Sequence, residues 1–99
     1  MRLMIMNVQV FSFATNDVLL ESKEGILHDD QHTTIKIWLD EARFLNGGPV
    51  VGEPYFMRYV NGIENSFYSP EFYYMGLMDH QLVFSTEPMP VAEFELVMG

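Results

Sequence analysis

Short runs of alternating apolar and polar residues, separated by turn residues, dominate this chain. The clearest case is the segment 55–68, where two apolar runs flank the dipeptide Asn61-Gly62. Asn-Gly supplies positive φ at both central positions of a type I′ turn, so the segment predicts a β-hairpin with a two-residue loop. In that register Arg58 pairs with Asn65.

Alternation of side chains along the two strands of this hairpin predicts two different faces. The core face consists of Phe56, Val60, Ile63 and Phe67. The opposite, amphipathic face consists of Tyr55, Met57, Tyr59, Glu64 and Tyr68.

Further apolar runs predict strands on both sides of the hairpin, at 3–13, 18–21, 26–27, 72–77, 82–86 and 91–97. For 70–78 a helix is the alternative, because Ser69-Pro70-Glu71 has the residue types of a helix start. Turn residues favour turns at 14–17 and 22–25, a polar loop at 28–32 and a flexible stretch at 47–54. Both faces of the first strand carry apolar residues, which predicts a central strand covered on its two sides.

The segment 33–46 fits two periodicities. Its β-branched start favours a strand to about Trp38, followed by a short helix over 40–46 with Asp40 as N-cap and Gly47 as the left-handed stop. A single helix over 33–46 is the alternative. The sequence therefore predicts an α+β fold, mainly an antiparallel β-sheet of meanders and hairpins, with one short helix.

Length and composition predict one globular domain, 1–99, because 99 residues with 48% hydrophobic positions can sustain a single core. The N-terminal run is interrupted by Asn7 and Gln9, so we interpret it as a strand and not a signal peptide. No stretch has the roughly 20 apolar residues of a membrane helix. The chain lacks cysteine, and a cytoplasmic location is the default expectation.

The chain is strongly acidic, with a net charge of −9. All five Lys and Arg residues lie at or before Arg58, and six carboxylates follow without a basic residue. Such a charge repels nucleic acid and anionic membranes and attracts basic partners.

Candidate catalytic chemistry is sparse. The sequence has no Gly-x-Ser-x-Gly motif and no glycine-rich phosphate loop, so we predict that the protein is not an enzyme and needs no cofactor. A small metal-dependent enzyme that uses His28, His32 and His80 is an alternative hypothesis, since imidazole binds zinc, iron and manganese.

Tyrosine and methionine are abundant, and both are enriched at the centres of protein interfaces. The same tyrosines can instead complete a core with their hydroxyls in water. We predict a binding surface of tyrosines and carboxylates, comprising Tyr55, Tyr59, Glu64, Tyr68, Glu71, Tyr73, Asp79, Glu93 and Glu95.

Alternate carboxylates in a strand, such as Glu93 and Glu95, lie about 6.6 to 6.8 Å apart, close to two phosphate steps of nucleic acid. We therefore predict a non-enzymatic module that binds a protein with a basic surface, as an inhibitor that mimics nucleic acid would. Small acidic proteins of this kind are typical of phage inhibitors of host nucleic-acid enzymes, an analogy of class. The alternative is a structural or assembly protein that forms a homodimer.

Overall fold

The structure is a computed structural model that describes residues 2–29, 33–60, 66–69 and 71–87; at 29 and 66–68 it describes the backbone alone. The described residues form eight strands: β1 (Arg2–Ser12), β2 (Val18–Asp29), β3 (Thr33–Trp38), β4 (Arg43–Phe44), β5 (Pro54–Val60), β6 (Ser66–Tyr68), β7 (Phe72–Met78) and β8 (Gln81–Ser85). A three-residue 3₁₀ turn, Leu39–Glu41, lies between β3 and β4.

Six of the strands close into an antiparallel barrel. Hydrogen bonding runs in the order β1-β2-β3-β8-β7-β5, and β5 pairs in turn with β1. The short strands β4 and β6 extend the sheet outside this ring, on β2 and β5 respectively. Closure leaves the six ring strands paired on both sides over part of their length, which satisfies backbone groups that an open sheet leaves at its edges.

The predicted α+β class is wrong, because the described residues form an all-β fold with no α-helix. The predicted helix over 40–46 is a 3₁₀ turn followed by β4, which pairs with β2 through Leu20 and Phe44. Trp38 precedes the turn and forms no side-chain cap, and Ala42 is already extended at φ −74° and ψ 128°. Pairing with β2 prevails here over local helix propensity. No helix among the described residues is long and apolar enough to cross a membrane.

The prediction of a strand from Thr33 to Trp38 is confirmed, and the alternative of one helix over 33–46 is excluded. The turn at 14–17 is also confirmed: Asn16 has φ 65°, and its N–H donates to the Ser12 carbonyl at 2.8 Å. Strands at 72–77 and 82–86 correspond to β7 and β8. The predicted strand 91–97 and its Glu93 and Glu95 lie outside the described residues.

The turn predicted at 22–25 is wrong, because β2 runs through it as one strand of 12 residues. Gly25 is a close-approach residue within that strand. A Cβ at this position would lie 3.2 Å from Ile5 Cγ1 and 3.4 Å from the Lys36 carbonyl oxygen. The close approach of the neighbouring strands therefore explains why position 25 is a glycine. His28, which was predicted in a loop, lies near the end of the same strand.

A β-bulge in β1 decides which residues enter the core. Met6 pairs with Val60 and Gln9 with Arg58, so two β1 residues face the single residue Tyr59. The first of the two, Asn7, has φ 52°. Because of this extra residue, Ile5 and Val8 both point into the barrel although they are three positions apart.

Buried side chains from all six ring strands fill the barrel, as expected for a ring of this size. The core consists of Ile5, Val8, Val10, Leu19, Leu20, Leu27, Ile35, Ile37, Tyr55, Met57, Phe72, Tyr74, Leu82 and Phe84.

The predicted faces of β5 are reversed. Tyr55 and Met57 are buried, whereas Phe56 and Val60 are half-buried on the other face. The predicted hairpin register is also wrong: Arg58 pairs with Tyr68 and not with Asn65, a shift of three residues. Five residues, 61–65, therefore separate the pair Val60–Ser66 where a two-residue loop was predicted. The dipeptide Asn61-Gly62 lies outside the described residues.

Candidate functional site

Tyr55 is placed in the core and not on a binding face. Its ring meets Phe84 edge to face with centroids 6.0 Å apart. Its hydroxyl accepts a hydrogen bond from the Val50 N–H at 2.8 Å. Tyr74 lies beside the same phenylalanine, with centroids 5.1 Å apart, and burial raises the pKa of its phenol, with a further contribution from Tyr55. These two tyrosines belong to the packing of the barrel.

The other predicted binding residues do not converge on one surface. Tyr59 packs against the core and Tyr73 is half-buried. Glu71 and Asp79 are exposed at opposite ends of β7, eight positions apart, or roughly 26 Å along an extended strand. The backbone of Tyr68 pairs with Arg58. Glu64, Glu93 and Glu95 lie outside the described residues.

The structure also separates the described histidines. His28 pairs with Thr34 at one end of β3, while His80 lies beside Gln81, which pairs with Trp38 at the other end. Those ends are four residues apart, or roughly 13 Å. The described residues contain no group of three or more side chains placed to bind a metal ion, and His32 lies outside them.

Strand register instead gathers apolar side chains on the outer face of the barrel. One row runs across four strands through Met4, Ile26, Lys36 and Val83. A second runs through Trp38, Gln81 and Met78, and Met6 lies two positions from Met4 on the same face. We call this surface the Met–Trp patch: Met4, Met6, Ile26, Trp38, Met78 and Val83.

The Met–Trp patch has a buried centre and an exposed periphery. Ile26 and Val83 are 3% and 7% exposed although they are not part of the core inside the barrel. Around them, Met4, Met6, Trp38 and Met78 are 39 to 50% exposed. Single exposed apolar residues are ordinary, but a contiguous group is typical of an interaction surface.

Carboxylates border the Met–Trp patch. Glu24 pairs with Met6, Asp79 follows Met78, and Asp40 and Glu41 follow Trp38 by two and three positions. Among the predicted binding residues that the structure describes, Asp79 lies at this border. One basic residue, Lys36 in the first row, lies on the same surface as these four acidic groups. The surface therefore combines an apolar centre with a negative rim.

The sequence pattern did not reveal the Met–Trp patch, because its residues come from five separate strands. One signal was present: Met4 and Met6 alternate with Leu3 and Ile5, so both faces of β1 are apolar. A strand with two apolar faces needs a cover on each, and here the barrel core supplies one of them. Comparison with protein-family models, with curated proteins and with solved structures found no match for this chain.

Proposed function

We propose that this protein is a non-catalytic binding module that docks through the Met–Trp patch on a partner protein with a basic surface. The observation that carries the proposal is the pairing of Trp38 and Met78 with the same residue, Gln81, on the outside of the barrel. Tryptophan and methionine are enriched at the centres of protein interfaces, and tryptophan is prominent among the residues that dominate binding energy.

Charge supports a basic partner over a second copy of the chain. Two copies would each carry a net charge of −9, and their four rim carboxylates would face one another. Like charges oppose such an approach, whereas a basic surface is attracted by the rim and is steered toward it. The homodimer is therefore the alternative that the experiment has to separate from this proposal.

The experiment compares capture of proteins from cell lysate by the wild-type chain and by Trp38→Ser. Phe13→Ser is the matched control, since Phe13 is an aromatic residue in the turn after β1 and is more exposed than Trp38, at 58% against 39%. We expect Trp38→Ser to weaken capture at least tenfold, as for an interface residue worth more than about 1.4 kcal/mol, and Phe13→Ser to leave it unchanged. Equal capture by both variants contradicts the proposal.

Electrostatic variants test the rim. Asp40→Lys with Asp79→Lys should slow association with the captured protein and reduce its salt dependence. Added DNA should compete if the basic surface of the partner is one that binds nucleic acid. Circular dichroism checks that each variant is folded.

Fluorine NMR of the same protein distinguishes the two kinds of partner. The chain has one tryptophan, so fluorotryptophan labels position 38 alone. The proposal expects its resonance to move when the captured protein is added and to be independent of the concentration of the labelled chain by itself. A resonance that moves with that concentration, with a mass that doubles, indicates the homodimer.

A further inference from the structure

A groove of about 510 Å³ lies beside the bulge in β1, on the outer surface of the barrel. Its lining includes Asn7 and Gln9 from β1, with Tyr59 opposite them on β5. The extra residue in β1 interrupts regular pairing at this point, and bulges are frequent next to binding and active sites. The volume lies within the range of pockets that hold small molecules.

The groove concentrates the basic residues of an acidic protein. Three of the five Lys and Arg residues of the chain line it: Lys23, Arg43 and Arg58. Two carboxylates, Glu21 and Glu41, line it as well, so the formal charge of the lining is +1 while that of the chain is −9. The groove therefore has the opposite sign of charge to the chain as a whole, whose negative charge repels anions.

Strand register places two arginines at the ends of one row. Arg58 pairs with Gln9, Gln9 with Glu21, and Glu21 with Arg43, across β5, β1, β2 and β4. Three strand spacings separate the two arginine backbones, or about 14 Å. Long guanidinium side chains can reach from both ends toward a ligand that lies over the middle of the row.

The carboxylate in this row is already engaged by an amide. Gln9 Nε2 donates to Glu21 Oε2 at 3.2 Å. Within the described part of the chain, no ion pair is formed by Arg43 or Lys23. Their charges are therefore not explained by a structural ion pair on the barrel surface.

We propose that the groove binds a small organic anion with two carboxylate or phosphate groups, one directed to Arg43 and Lys23 and the other to Arg58. Guanidinium groups match both kinds of oxyanion in two-point hydrogen bonds. Tyr59 and the side-chain amides of Asn7 and Gln9 supply the remaining contacts with the body of the ligand. This site is distinct from the docking proposal, because none of its lining residues is one of the six of the Met–Trp patch, and only Glu41 lies at the border of both.

The test is titration of the nitrogen-labelled chain, followed by NMR, with succinate, a sugar bisphosphate and inorganic phosphate in parallel. We expect shifts confined to the amides around 7–9, 21–23, 43 and 58–60, and tighter binding of a two-group anion than of inorganic phosphate. Succinate, with two carboxylates, and the sugar bisphosphate, with two phosphates, distinguish carboxylate from phosphate as the preferred group. Constant ionic strength with chloride separates binding from general screening.

Matched variants decide whether the groove is the site. Arg43→Gln and Lys23→Gln should each weaken binding about tenfold, the effect of one charged hydrogen bond. Arg2→Gln is the control, an exposed basic residue of β1 that does not line the groove. The proposal is overturned if no anion shifts these amides at millimolar concentration, or if Arg2→Gln weakens binding as much as Arg43→Gln.

Discussion

The ring of Phe11 stacks on the ring of Phe56 across the seam where β5 pairs with β1, with centroids 4.9 Å apart and planes 3° apart. The two residues are direct partners in the register that closes the barrel. Such a pair on the outer face contributes to closure in addition to the core inside. Side-chain alternation predicted Phe56 in the core, and its stacking on Phe11 shows how a large apolar residue is accommodated on the outer face.

A double-mutant cycle measures this contact. Phe11→Leu and Phe56→Leu should show a coupling free energy of about 0.5 to 1.5 kcal/mol in urea unfolding, the range for aromatic pairs. Phe13→Leu with Phe56→Leu is the control cycle, because Phe13 lies in the exposed turn after β1. Equal coupling in the two cycles would show that the stack contributes nothing specific.

The hydrogen bond from Val50 to the Tyr55 hydroxyl gives a second prediction. Tyr55→Phe removes the acceptor and should lower the free energy of unfolding by about 1 kcal/mol. Tyr55→Ala also empties part of the core and should cost about 3 to 5 kcal/mol, as for other buried aromatic rings. Tyr73→Phe, at a half-buried tyrosine, is the control for loss of a hydroxyl. A stability loss from Tyr55→Ala no larger than from Tyr55→Phe would contradict its place in the core.

The bulge depends on the positive φ of Asn7. Asparagine tolerates this conformation better than a β-branched residue, so Asn7→Val should destabilise the barrel by about 1 to 3 kcal/mol. Asn7→Gly should be neutral within a few tenths of a kcal/mol, because glycine adopts positive φ readily. Met6→Val is the control at the exposed neighbouring position. Thermal unfolding checks the series, and the prediction fails if Asn7→Val costs no more than Met6→Val.

The sequence predicted several strands well and their partners poorly. Turn residues located β1 and β8, because each lies beside a clear break. For β3 and β7, β-branched and aromatic residues favoured a strand in segments that also fitted a helix. In β5, however, Arg58 is the one charged residue and both faces are otherwise apolar, so the local pattern gave no contrast between core and surface. Tyr55 and Met57 enter the core because the ring closes through β1 and β7, a relationship between distant segments.

Two glycines are required by the backbone, as the sequence indicated, but for structural reasons other than the predicted ones. Gly25 indicated a break, yet its lack of a side chain serves the close approach of Ile5 and Lys36. Gly47 was predicted to end a helix in the left-handed region, and it does have φ 77°, but after β4. Neither the Met–Trp patch nor the basic groove could be predicted from local sequence, since strand register brings the residues of each together from several strands.

The raised pKa of Tyr74 predicts a loss of stability in alkali. Its cause is burial first and the neighbouring Tyr55 second, and both favour the neutral phenol in the folded state. In the unfolded chain this phenol ionises near its ordinary pKa of 10.0. Above that pH the unfolded state binds fewer protons than the folded state, so the free energy of unfolding falls as pH rises. Below it the contribution is fully present.

Tyr74→Phe removes the ionisable phenol at position 74. Tyr73→Phe is the control for the loss of one tyrosine hydroxyl elsewhere in the same strand. Urea unfolding at several pH values from 8 to 11 should show a shallower decline for Tyr74→Phe than for the wild type, with Tyr73→Phe following the wild type. The decline that remains in Tyr74→Phe belongs to other ionising groups. If all three proteins lose stability in parallel, the buried phenol of Tyr74 is not a source of the alkaline dependence.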